Sequence, residues 1–193
     1  MGMEYFQKIR RRHVNWSYAF SGAVNYLPTC VTEADYIINL ANLKGHSYGI
    51  TLCGKTVLYL LDALICATSE GASITGDSSR WQQETIGGNY TSSVFLSQDP
   101  VAIDSVGADF LINEPAVTER NGALKDNPNV ENYLHEAGLV GDAPSGNRYQ
   151  DGNGETVTNL GVHEHWNNSV EKLYGRNLGG AEGIELISIM RHR

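Results

Sequence analysis

Apolar residues fall into short runs set between long polar stretches. "DYIINLANL" (Asp35–Leu43) is one such run, closed by Lys-Gly-His, and it predicts a buried strand. "TVLYLLDAL" (Thr56–Leu64) is apolar almost without interruption, so it has no helical face and predicts a second buried strand, broken only by Asp62. Gly, Ser, Thr and Asp dominate from Thr68 to Asn89, the signature of a loop, and "SSVFLSQ" (Ser92–Gln98) returns to strand character. In "DPVAIDSVGADFLINE" the period changes. Asp99 suits an N-cap, Pro100 suits the first helical turn, and Ile103, Val106, Phe110 and Leu111 recur at helical spacing. Asn127 and Pro128 open a second helix in the same way, with Val130, Tyr133, Leu134 and Ala137 packing before Gly138 stops it. "SGNRYQDGNGET" (Ser145–Thr156) predicts turns, while "GVHEHW" (Gly161–Trp166) and "GIELISIM" (Gly183–Met190) predict strands. The sum is a mixed α/β fold, with a mainly parallel buried sheet, flanking helices and long polar loops.

The 193 residues are enough for a single domain, 1–193, with one substantial core. Hydrophobic residues at 41% and charged residues at 19% place the chain among globular proteins. No apolar run is long enough to span a bilayer, and a net charge of −8 argues against nucleic acid as a partner. The basic cluster "KIRRRH" (Lys8–His13) is followed by "VNWSYAFSG", too polar for the core of a signal peptide, and it predicts a solvated basic face. Cys30, Cys53 and Cys66 are widely spaced with no C-x-x-C, so no iron–sulfur cluster motif or zinc ribbon is written here.

One motif match needs testing. "GITLCGKT" (Gly49–Thr56) fits the phosphate-binding pattern G-x-x-x-x-G-K-[ST], which would make Lys55 and Thr56 nucleotide ligands. Such a loop follows a strand and opens a helix whose N–H groups face the phosphates. Here Lys44–Tyr48 separate it from the preceding strand, the variable positions are mostly apolar, and the next apolar run begins at once. The context therefore argues against a nucleotide binder. "DGNGE" (Asp151–Glu155) fails as a calcium loop for a similar reason, because Thr156 stands where the pattern needs glycine.

The blocks "ADYIINLANLKGHSYGITLC", "GKTVLYLLDAL", "SSVFLSQDPVAIDSVGADFL", "YLHEAGL" and "LGVHEHWNN…YGRNLG…EGIELI" resemble, in order and from about Val24 onward, the bacterial family catalogued as domain of unknown function 362. Members of that family are often exported and some carry fused ferredoxin modules, so the resemblance implies a periplasmic or secreted protein. Family members usually continue the Lys-x-His block with T-L-x-x-K-N, and several dozen residues later reach G-G-K-T. Here "TLC" runs straight into "GKT". The comparison thus implies a segment missing between Cys53 and Gly54, a seam that would itself create the phosphate-loop match.

Candidate chemistry lies at strand ends. Lys44 and His46 follow the first predicted strand, Asp62 lies late in the second and Asp99 follows the third. Were the strands parallel neighbours, these four would converge beyond their carboxyl ends as a catalytic group for a small anionic or metal-bound molecule. Each also has a plainer role: Asp99 as a helix cap, Lys44 and His46 as surface, Asp62 as a carboxylate tied to a local partner. Asp104, near a helix start, suits the helix dipole. His163 and His165 are two apart, so on an extended strand both imidazoles face one way and Glu164 the other, which fits two ligands of one metal ion. A third ligand could come from His135, His46 or an aspartate. The alternative is packing and hydrogen bonding beside Trp166 and Asn167. The expectation is a protein that binds a small anionic ligand or a divalent metal, with catalysis at that site or, alternatively, a purely structural or binding role.

Overall fold

The computed structural model describes residues 11–13, 26–28, 33–44, 56–67, 76–115, 128–150 and 153–190. His46, Asn127 and the phosphate-loop residues 49–55 lie outside the described residues. In chain order the elements are β1 (Arg11–His13), β2 (Tyr26–Pro28), β3 (Ile37–Lys44), β4 (Thr56–Ala67), β5 (Ser93–Ser97), α1 (Pro100–Ile112) and α2 (Pro128–Gly138). β1 and β2 form a short antiparallel ladder, Arg11 opposite Pro28 and His13 opposite Tyr26. Thr56 opens a strand and not a helix, so the lysine–threonine pair lacks the helix N-terminus that a phosphate loop requires.

The other three strands form a sheet in the order β3-β4-β5. β3 and β4 are parallel, with Leu40 opposite Leu60 and Asn42 opposite Asp62. β5 runs antiparallel to β4, with Leu96 opposite Leu60 and Val94 opposite Asp62. The fold is thus α/β with a small mixed sheet, its two pairings split between parallel and antiparallel. Strand alternation sends Tyr59, Leu61 and Ala63 to one face, where they meet Leu43 of β3 and Ile103 and Leu111 of α1. The opposite face is open: Ile38, Leu40, Val94 and Leu96 are all exposed. β3 is therefore only half-buried where the apolar run predicts full burial, because it is an edge strand and α1 covers one side of it. The contact is close, since a Cβ at Gly107 of α1 would lie 3.0 Å from Leu61 and 3.2 Å from Leu43.

α1 begins as its sequence dictates. Asp99 Oδ1 accepts the N–H groups of Val101 and Ala102, both at 2.9 Å, and Pro100 occupies the first turn. The helix is buried on nearly every side, with Val101, Ala102, Ser105, Val106, Ala108 and Asp109 all inside. Three layers account for this: the sheet on one side, α2 on a second through Val101, Ala108, Val130, Leu134 and Ala137, and the C-terminal segment on a third through Ala102, Val106, Trp166, Tyr174 and Ile184. In α2 the packing positions Val130, Leu134 and Ala137 are buried as expected, while Tyr133 faces outward.

The two strands expected at 161–166 and 183–190 do not form; both segments lie outside any ladder. Side chains supply the acceptors that a neighbouring strand would otherwise provide. Val162 N–H donates to Asp99 Oδ2 at 2.9 Å and Trp166 N–H to Asp109 Oδ2 at 3.0 Å. Ile184 N–H donates to Glu164 Oε1, and Leu186 N–H to Asn177 Oδ1 at 2.9 Å. Residues 162–166 thus run extended alongside α1. Ten helical residues from Asp99 to Asp109 rise about 15 Å and four extended residues cover about 13 Å, so the two carboxylates can grip both ends of the segment.

Candidate metal centre

The grip on residues 162–166 fixes the two histidines. Ser105, one helical turn into α1, has a single hydroxyl proton and two neighbours at 2.8 Å, the Val101 carbonyl and His163 Nδ1. The carbonyl can only accept, so the hydroxyl donates to it, and His163 Nδ1–H must donate to Ser105 Oγ. That leaves the lone pair of a neutral His163 on Nε2. This nitrogen is buried and has no hydrogen-bonding partner. Glu131 Oε2 lies 3.4 Å away, itself an acceptor and not in hydrogen-bonding geometry. Burial holds the His163 pKa below its usual value against the pull of Glu131, with His135 and His165 pushing the same way as burial, so the lone pair is present at neutral pH.

His165 repeats the arrangement with a carboxylate. Its Nδ1 lies 2.7 Å from Asp109 Oδ1 and its Nε2 3.1 Å from Glu131 Oε2. Asp109 is buried in α1, and its Oδ2 accepts Trp166 N–H at 3.0 Å and the Tyr174 hydroxyl at 2.9 Å. Burial alone would depress the His165 pKa, but hydrogen bonds and charge from Asp109 and Glu131 outweigh it and raise the pKa. With Nδ1–H committed to Asp109, Nε2 of a neutral His165 also presents a lone pair to an acceptor oxygen. Only a second proton or a cation satisfies that pair.

Glu131 Oε2, His163 Nε2 and His165 Nε2 lie within 4.8 Å of one another. Ligand atoms at 2.0–2.2 Å from a tetrahedral zinc ion are separated by about 3.4 Å, and the two histidine–glutamate distances here are 3.1 and 3.4 Å. Asp109 then stands behind His165 and Ser105 behind His163, each fixing a tautomer and a ring orientation. His135 lies edge-on to His163 with ring centroids 4.6 Å apart, its Nδ1 bonded to the Glu131 carbonyl at 2.9 Å. Glu164 turns away from its neighbouring histidines and accepts Gly175 N–H at 3.1 Å as well as Ile184 N–H, which folds the C-terminal loop.

Of the strand-end residues, His46 lies outside the described residues, and Lys44, Asp62 and Asp99 are not brought together at this cluster. β5 runs antiparallel, so Ser97 pairs with Tyr59 while Lys44 pairs with Ala67; about 26 Å of strand separates those positions. Asp99 therefore leaves the sheet at the end opposite Lys44, with both its oxygens taken by backbone N–H groups. Asp62 alternates to the sheet face away from α1 and accepts Leu64 N–H at 2.9 Å. Of the residues singled out from the sequence, His163 and His165 meet; Glu131 and Asp109, which complete the cluster, were not among them. Both had a legible cue: Glu131 is four residues before His135 on one helix face, and Asp109 is a carboxylate within an apolar helix.

No protein-family model matches the chain, nor does any curated protein or solved structure. Among the described residues no helix is long and apolar enough to cross a membrane.

Proposed function

We propose that the protein binds a divalent transition metal, zinc above all, through Glu131, His163 and His165. One observation carries the reading: Nε2 of His163 and Nε2 of His165, each on a ring whose Nδ1 is held by Ser105 or Asp109, converge on the same Glu131 oxygen at 3.4 and 3.1 Å, an arrangement a cation displacing the His165 proton satisfies. The donor set supports it, since imidazole and carboxylate suit zinc and related ions, while calcium and magnesium favour all-oxygen sites. The ion would link α2 to the extended segment lying on α1. With this goes the proposed kinship to the domain of unknown function 362 family and, from it, an exported bacterial protein.

The test is native mass spectrometry of chelator-treated protein titrated with zinc, alongside thermal melting. One zinc ion per chain is expected, abolished in His163→Ala and in Glu131→Gln. Zinc at a hundred times its Kd would contribute about 2.7 kcal/mol, raising Tm by about 5–10 °C for a chain of this size. A protein that takes up no zinc would overturn the reading. His165 would then be an imidazolium held between two carboxylates, the structural-module role.

A further inference from the structure

The three ligands differ sharply in exposure. The His163 side chain is 5% exposed, whereas those of His165 and Glu131 are 46% and 33% exposed. The triangle of ligand atoms thus has one buried corner and two at the surface. On that surface lies an open cleft of about 360 Å³, lined by Glu131 and His165 together with Asp109, Ile112, Asn113 and Trp166. Its volume falls at the small end of ligand pockets. Among the described residues no other His, Cys, Asp or Glu joins the three as a ligand.

Structural zinc sites are closed by four protein ligands, while three ligands leave a coordination position for water or substrate. Resting on the metal reading above, we infer that the ion keeps an exchangeable fourth position facing this cleft, filled by water at rest and open to a small monoanion such as a carboxylate. Within its own coordination shell a divalent ion with one glutamate ligand would keep a single positive charge, which a monoanionic donor bound directly to the ion would meet, while the Asp109 carboxylate stands one residue further out behind His165. The exchange is a simple substitution: water leaves as the anion's oxygen or nitrogen enters, with no bond made or broken elsewhere. A site of this type polarises a bound carbonyl or activates its own water, as a closed structural site does not.

Cobalt provides the test, because it takes zinc's place and its visible bands report coordination. The wild-type protein is loaded with one equivalent of cobalt and titrated with azide, then with acetate. The expected result is strong tetrahedral bands on loading and a saturable shift of those bands with each anion. If cobalt binds with tetrahedral bands that neither anion moves, the fourth position is closed; the inference then fails while the metal reading stands. If native mass spectrometry shows that the protein takes up no cobalt, the metal reading itself fails, and this inference with it; cobalt taken up without tetrahedral bands overturns the four-coordinate site inferred here and leaves the metal reading standing.

Discussion

Asp109 and His165 stand 2.7 Å apart, carboxylate oxygen to Nδ1, and this pair couples the core to the candidate metal centre. Asp109 belongs to the buried wall of α1 and also holds Trp166 N–H and the Tyr174 hydroxyl. The same carboxylate therefore shapes the packing of the C-terminal segment and aims Nε2 of His165 at Glu131.

Replacing it by Asp109→Asn is expected to weaken zinc binding about 10–100-fold, the usual effect of removing a carboxylate behind a histidine ligand. Tm should fall as well, since the amide must turn its NH₂ toward one of three groups that now donate to Asp109. Competition with a chromogenic chelator measures the affinity. An unchanged Kd would mean that His165 is oriented by backbone alone.

Gly161 is the entry point of the extended segment. Its φ is +152°, and a Cβ there would lie 2.0 Å from Asp99 Oδ1 and 2.8 Å from Val101. Gly161→Ala should therefore cost about 3 kcal/mol through backbone strain and collision together. Because the shift would carry His163 with it, zinc affinity should fall in parallel. Gly146, at φ +76° with open space around its missing Cβ, is the control; there alanine should cost about 1 kcal/mol from strain alone. Urea denaturation of the two variants should separate them, and equal losses would show that the contact with Asp99 relaxes freely.

The elements with strong local punctuation were legible in the sequence. Asp99-Pro100 opens α1 as expected because a cap and a fixed proline φ act within three residues. The facing of His163 and His165 was legible too, since it needs only an extended backbone. What was not legible is what pairs with what. Gly161–Trp166 has the composition of a strand, yet the N–H groups of Val162 and Trp166 go to Asp99 and Asp109, partners that only the tertiary fold brings near. β5 has strand character in either direction, and its antiparallel placement is what separates Asp99 from Lys44. Glu131 lies in the first turn of α2, where favourable interaction with the helix dipole is explanation enough until the histidines arrive.

Asp99 itself is a joint with two separable halves. Its Oδ1 caps α1 and its Oδ2 holds Val162 N–H. Asp99→Ala should lose both, about 1 kcal/mol for the cap and about 2 kcal/mol for the stranded, part-buried N–H. Asp99→Asn keeps a capping oxygen but sets an NH₂ against Val162, so it should lose the second part only. Measured stabilities of the two variants should differ by about 1 kcal/mol. Equal values would show that the cap contributes nothing in this buried helix.

Cys66 gives the protein a pH dependence on the alkaline side. The thiol is fully buried, with its Sγ 3.2 Å from the Thr91 hydroxyl. Burial raises its pKa from 9.0 to about 11, with the Asp62 charge adding to the effect and the Thr91 hydrogen bond opposing it. Below about pH 9 the thiol is protonated in both folded and unfolded chains, and its contribution to stability is fully present. Between about pH 9 and pH 11 the unfolded chain loses this proton while the folded chain keeps it, so the folded state is progressively disfavoured. Two pH units correspond to about 2.7 kcal/mol lost once the pH passes the folded value. Tyrosines and lysines titrate over the same range, so the informative quantity is the difference between wild type and Cys66→Ala. Urea unfolding from pH 8 to pH 11 should show wild type losing stability more steeply than the variant, the two curves converging by about that amount. Parallel curves would mean that Cys66 ionises in the folded protein as readily as in the unfolded chain, through water reaching the Thr91 side of the sheet.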